Sequence, residues 1–176
     1  FHFLISAFEL RKWKLTPNSG PALEFRAWIV LGDSLPRARI SHSAEFCAAF
    51  RLRNDAFDAA WNDATFGACH SPNYHGHNYL LTVEVEGPVD PDSGMVMDLA
   101  RLAALIQERL VARVDHRNLN TDVDLLEGVI PTSENIAAAF WRVLEAELPA
   151  GVRLARLRLQ ESRDNAVLLL ADEPDR

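Results

Sequence analysis

Between Ala38 and Leu52, Ile40, His42, Ala44, Phe46, Ala48 and Phe50 recur at every second position, which predicts a strand with one apolar face. A second alternating run, from His75 to Glu86, puts His75, His77, Tyr79, Leu81, Val83 and Val85 on one side, with Thr82 and Glu84 on the other. The turn-rich segment Gly87–Gly94 ends it. The period then becomes helical. Asp98 is placed to cap a helix to about Val114, with Leu99, Leu102, Ala103, Ile106, Leu110 and Val114 on one face. Thr132 is the expected N-cap of a second helix, buried through Ile136, Phe140, Val143, Leu144 and Leu148 and stopped by Pro149 and Gly151. Short strands follow at Leu154–Gln160 and Ala166–Leu170, while Asn54–Phe66 reads as a loop or a short helix. The order ββ-αα-ββ predicts an α+β fold: a four-stranded antiparallel sheet with two helices on one face.

With 176 residues and 48% hydrophobic content, the chain can bury the core of one ordinary domain. A formal charge of -7 argues against non-specific nucleic-acid binding, so a polyanionic substrate needs a local group of Arg or Lys. Two cysteines, Cys47 and Cys69, make no disulfide framework, and a reducing cytoplasmic setting is expected. No stretch approaches the roughly 20 apolar residues of a membrane span. Residues 1–36 lack a clear period, and no Met precedes Met95. They are expected to be an atypical, non-native extension, with the native start near Val30 or Leu31 and one domain over 37–174. A genuine extension packed on the domain is the alternative.

The densest chemistry lies between Cys69 and Tyr79. His75 and His77 share a strand face, with Cα atoms roughly 6.5 Å apart at about 3.3 Å per residue, so two imidazoles can meet one metal ion. Gly76 between them allows close approach on the other face. Cys69 is close by; a thiol acts as a base only as its thiolate. Asp115 can orient and polarise His116, although the dipeptide taken alone also suits a helix C-terminus. A carboxylate such as Glu161 can accept adjacent N–H donors as a charge-assisted pair, although a lone strand-end Glu is more commonly a surface charge.

Taken together, FGACHSPNYHGHNY, GMVMDL, VDHRNLN, PTSENIA and LQES resemble the 6-pyruvoyl tetrahydropterin synthase family, which includes the 6-carboxytetrahydropterin synthase of the queuosine pathway. The resemblance spans about residues 38–172. It implies the tunnelling fold, with trimeric barrels stacked into homohexamers and active sites at subunit interfaces. It also implies a lyase that eliminates triphosphate from 7,8-dihydroneopterin triphosphate, in tetrahydrobiopterin or queuosine biosynthesis. Cys69 would be the base, with Asp115 and His116 supplied by a neighbouring subunit. His75 and His77 would be Zn²⁺ ligands, the zinc polarising the substrate's hydroxyls. Glu161 would anchor the pterin, and Thr132, Ser133 and Glu134 would form a secondary pterin-contacting segment. Arg51, Arg53 and Arg117 are candidates for the triphosphate.

One position departs from the family pattern. Phe50 stands where the first strand of that family carries a zinc-binding His, and phenylalanine cannot bind zinc. His70 is a minority candidate for the missing ligand. His42 lies roughly 26 Å away along the strand, and Cys47 points to the opposite face. The retained Cys69, Asp115, His116 and Glu161 favour an enzyme; the alternative is a non-catalytic pterin-binding or scaffold relative. Five residues separate Cys69 from His75, which tilts the expectation towards the pyruvoyl-forming type without deciding the product.

Overall fold

A computed structural model describes residues 35–172. The reading of residues 1–36 as an extension therefore lies outside the described residues, apart from Leu35 and Pro36. Strand β1 (Arg37–Phe50) pairs antiparallel with β2 (His75–Pro88), from Arg37 opposite Pro88 to Phe50 opposite His75. On the other side β2 pairs with β4 (Arg153–Gln160), which pairs with β5 (Ala166–Leu170), both antiparallel. The four expected strands form as the alternation predicts, because a one-residue slip would turn every apolar side chain to the wrong face.

A fifth strand, β3 (Arg117–Asn118), joins β1 in parallel, giving the order β3-β1-β2-β4-β5. It is two residues long, too short to leave a period in the sequence. Between β1 and β2, Asp58 caps helix α1 (Ala59–Phe66) by accepting from the Trp61 N–H. Buried Asn62 ties that segment together through the carbonyls of Asn54, Phe57 and Asp58.

Asp98 caps α2 (Leu99–Ile106) as expected, accepting from the Ala100 N–H at 2.8 Å. The helix continues through a π-helical turn, Gln107–Val111, into α3 (Ala112–Val114). The wider turn brings Val111 into the core together with Leu110 and Val114. Leu99, counted on the buried face, is instead 52% exposed, at the helix start. Thr132 caps α4 (Ser133–Glu145), accepting from the Asn135 N–H at 3.3 Å.

Helices α2 and α4 cover the face of the sheet that carries the even positions of β1 and the odd positions of β2. Leu102, Ile106, Ile136 and Phe140 are fully buried there with Tyr79, Leu81, Val83 and Val85. Phe46 stacks on Tyr79 with centroids 4.8 Å apart and meets the edge of Phe140 at 5.8 Å. This packing fixes the end of the sheet where Phe50, His75 and His77 lie.

Gly76 is required there by space. A Cβ at this position would stand 2.6 Å from the Ala48 carbonyl oxygen, a contact with backbone that no rotamer change relieves. Gly76→Ala is expected to cost about 1–3 kcal/mol, measured as a lower denaturant midpoint; an unchanged midpoint would show that the β1–β2 spacing is looser.

On the opposite face, Glu86 is buried between Arg39 at 2.7 Å and Arg153 at 2.9 Å, and Arg37 stands 3.9 Å away. The hydrogen bond from Arg39 leads in holding its carboxyl below the ordinary value, against an opposing push from burial. A depressed carboxyl contributes stability above its unfolded pKa of about 4.3 and loses it as pH falls through the folded value. The melting temperature of Glu86→Gln should therefore lie below wild type at neutral pH, with the gap closing in acid. A gap independent of pH would contradict this.

Candidate active site

Where β1 ends and β2 begins, the chain forms an open cleft of about 290 Å³. Phe50 and Leu52 come from the end of β1, and Cys69 comes from the 3₁₀ turn Gly67–His70. Thr132, Ser133 and Glu134 come from the start of α4, and Glu161, Asn165, Ala166 and Val167 come from the β4–β5 hairpin. Residues far apart in sequence thus converge. Cys69 is positioned by its own backbone, whose carbonyl accepts from the Leu52 N–H at 2.8 Å. Glu161 is positioned by its N–H, which donates to the Asn165 carbonyl at 3.1 Å. Asn165, Ala166 and Val167 were not singled out in the sequence; only the turn after Glu161 hinted that the chain doubles back there.

His75 and His77 share one face of β2, as the alternation requires, with ring centroids 5.3 Å apart and planes nearly perpendicular. His77 Nε2 lies 3.4 Å from Glu161 Oε1. Burial leads in lowering the His75 pKa; His77 lowers it further and Glu161 opposes, so the neutral ring is favoured. Its Nδ1 is buried without a hydrogen-bond partner. The Tyr79 hydroxyl is also buried and unpartnered; burial first, then the charges of Glu161 and Cys69, push its pKa far up and keep it protonated.

Phe50 is 2% exposed and packs against both imidazoles, with centroids 4.5 Å from His75 and 5.7 Å from His77. His70 does not take its place as a donor beside the pair. Its Nδ1 is 3.0 Å from the Leu52 carbonyl and its Nε2 is 4.0 Å from Asp63. The Nδ1 contact ties His70 to the loop that carries Cys69.

Asp115 and His116 do not line the cleft of their own chain. Asp115 Oδ2 is 2.9 Å from His116 Nδ1, while Oδ1 accepts from the Cys47 N–H at 2.8 Å. The Cys47 N–H leads, with His116 second, in holding the Asp115 carboxyl below its usual value. The His116 N–H donates to the Cys47 carbonyl at 2.6 Å, fixing the dipeptide to β1. His116 has φ of 56° and an imidazole 82% exposed, so a side chain in a left-handed backbone conformation is presented outwards. Of the arginines considered for the triphosphate, Arg51 lies over the Tyr74 ring at 5.7 Å, Arg53 pairs with Asp55, and Arg117 is exposed on β3.

The sequence profile of the 6-pyruvoyl tetrahydropterin synthase family matches residues 39–171. The chain belongs to that family. It is 39% identical over 132 residues to the 6-pyruvoyl tetrahydrobiopterin synthase of Homo sapiens, across 75% of this chain and 90% of that one. It is 33% identical over 133 residues to a dihydroneopterin monophosphate aldolase of Pyrococcus furiosus, across 76% and 97% of the two chains. The solved 6-pyruvoyl tetrahydropterin synthase of Caenorhabditis elegans superposes with a TM-score of 0.72 at 35% identity, covering 79% of this chain and 99% of that one.

The 6-pyruvoyl tetrahydropterin synthase family is typically zinc-dependent. The spacing of His75 and His77 suits two ligands to one ion. Catalytic zinc ordinarily takes three protein ligands and leaves one position open. Here the third corner holds Phe50, and among the described residues no group of three His, Cys, Asp or Glu side chains converges in a way that could hold a metal. The donor set does not fit the family's zinc.

Proposed function

We propose that this protein is a lyase acting on 7,8-dihydroneopterin triphosphate, with Cys69 as the base and triphosphate as the leaving group. The observation that carries this reading is the single cleft shared by Cys69, Thr132, Ser133, Glu134 and Glu161. Glu161 accepts the paired N–H donors of the amino-pyrimidine edge, and the start of α4 supplies further polar contacts to the ring. At about 290 Å³ the cleft is at the small end for ligand sites, suited to the bicyclic ring with the side chain reaching outwards. The Cys69 thiolate takes a proton from a side-chain carbon, the C–O bond to triphosphate breaks, and the enol product tautomerises to the pyruvoyl form. The proton resides on Cys69 until solvent or His116 receives it. The 39% identity to a pyruvoyl-type synthase supports that product; release of acetaldehyde would assign the carboxy-forming branch instead.

Asp115 and His116 complete the site from a second copy of the chain. The outward presentation of His116 supports this, as does the family's assembly into homohexamers, which we propose for this chain. Mixed oligomers of Cys69→Ala and His116→Ala chains should regain activity that neither parent has, because one interface then carries both intact groups. Mixed oligomers as inactive as their parents would place both groups in one subunit.

Asp115→Asn keeps an oxygen for the Cys47 N–H but loses the charge beside His116. Turnover is expected to fall about 10²-fold, the lower range for acid–base assistance, with pterin affinity unchanged. Equal turnover in the two proteins would remove His116 from the chemistry. The test of the whole reading is incubation of the purified protein with dihydroneopterin triphosphate, following triphosphate and acetaldehyde.

A further inference from the structure

We propose that this chain carries no resident zinc at His75 and His77, because the ring of Phe50 closes the corner where a third ligand would stand. The inference rests on the family assignment and the site geometry, and it does not depend on turnover. Phe50 faces His75 directly across the β1–β2 ladder, and its ring touches both imidazoles. It is therefore a wedge as well as a missing donor. An ion held by two imidazoles must fill its remaining positions with water or with other side chains. A ring 2% exposed excludes water from its own side of the pair.

The nearby donors have other duties. His70 is bonded to the Leu52 carbonyl through Nδ1. Glu161 is 3.4 Å from His77, but it lines the cleft where the pterin edge must be met, and metal ligation would withdraw it from that contact. Cys69 lines the same cleft, and a zinc-bound thiolate is a poor base. The two imidazoles meet edge to face at 5.3 Å, and Phe50 packs against both.

One substitution should reverse this. A His at position 50 lies on the same face as Phe50, opposite His75, and supplies the third nitrogen. The experiment measures zinc per chain after dialysis against metal-free buffer, and zinc affinity by competition with a chromophoric chelator. It uses the full chain and its Phe50→His, Phe50→Ala and His75→Ala/His77→Ala variants. Wild type should retain well under one zinc per chain. Phe50→His should retain about one and bind at least roughly 100-fold more tightly, since ligand number sets zinc affinity. Phe50→Ala, which opens space without adding a donor, should gain far less.

One tightly held zinc in the wild type, lost in His75→Ala/His77→Ala, would overturn the proposal. So would equal gains in Phe50→His and Phe50→Ala, which would show that the missing donor is immaterial. The wild-type stoichiometry decides even if a variant fails to fold. Because the readout is metal, its failure is distinct from failure of the lyase reading, which shows only in triphosphate release.

Discussion

Cys69→Ala is expected to lower triphosphate release about 10²–10⁴-fold while leaving pterin binding nearly intact. The side chain lines the cleft beside the separate groups assigned to the ring, so its loss removes a proton acceptor without removing the carboxylate that meets the amino-pyrimidine edge. Truncation should not unfold the loop. That loop is held by the Leu52 N–H donating to the Cys69 carbonyl, by the Ser71 N–H donating to the Ala68 carbonyl, and by the buried His70 imidazole on the Leu52 carbonyl. The check is turnover alongside the quenching of pterin fluorescence on binding. A fall in both together would mean that Cys69 shapes the pocket, and unaltered turnover would remove it from the chemistry altogether. Cys69→Ser separates basicity from shape: a hydroxyl of similar size with a far higher pKa should be nearly as inactive as alanine.

The second large effect is expected at Glu161. Glu161→Gln preserves size and one acceptor oxygen but places an N–H₂ where a ring N–H must be received. A hydrogen bond to a charged group contributes about 1.5–3 kcal/mol, and the substitution turns one of two such bonds into a donor–donor clash. Pterin affinity should fall on the order of 10²-fold, with a smaller fall in turnover at saturating substrate. Glu161→Gln also relieves His77 of its 3.4 Å carboxylate neighbour. Unchanged pterin affinity would move the anchor elsewhere in the cleft.

Much of this was legible in the chain because the signals are periodic or local. The alternation from Ile40 to Phe50 and from His75 to Val85 determined which side chains face the helices, and the structure buries that face. Asp98 and Thr132 act as caps because each side-chain oxygen reaches an N–H two or three residues ahead, a range that sequence resolves. The β3 pairing was not legible: Arg117 and Asn118 pair with Ala48 and Ala49 over two residues only, too few to leave an alternation. The π turn at Gln107–Val111 was equally hidden, since one extra residue shifts a helical pattern no more than ordinary scatter does.

At the site the division is similar. Residue identity pointed to Cys69, His75, His77, Asp115, His116 and Glu161, but their grouping depends on tertiary placement. Cys69 and Glu161 share a cleft, whereas Asp115 and His116 project from another part of the same chain. His70 shows the limit of reading by residue type. As a His beside a Cys near an HGH turn it qualified as a ligand, and only loop closure onto Leu52 shows the imidazole buried and bonded through Nδ1 to a carbonyl. Phe50 could be recognised in the sequence as a lost donor. Its contact with both imidazoles, which makes it an obstacle to a metal, is a property of the fold.

If the cleft is a working lyase site for a pterin triphosphate, catalysis must release the leaving group. The most direct test is the stoichiometry of triphosphate released per dihydroneopterin triphosphate consumed by the purified wild-type protein, with Cys69→Ala as control. The account predicts one triphosphate per substrate, no acetaldehyde, and near-complete loss in the control. A folded wild-type protein that binds the pterin and releases no triphosphate would contradict it and leave a pterin-binding relative without catalysis.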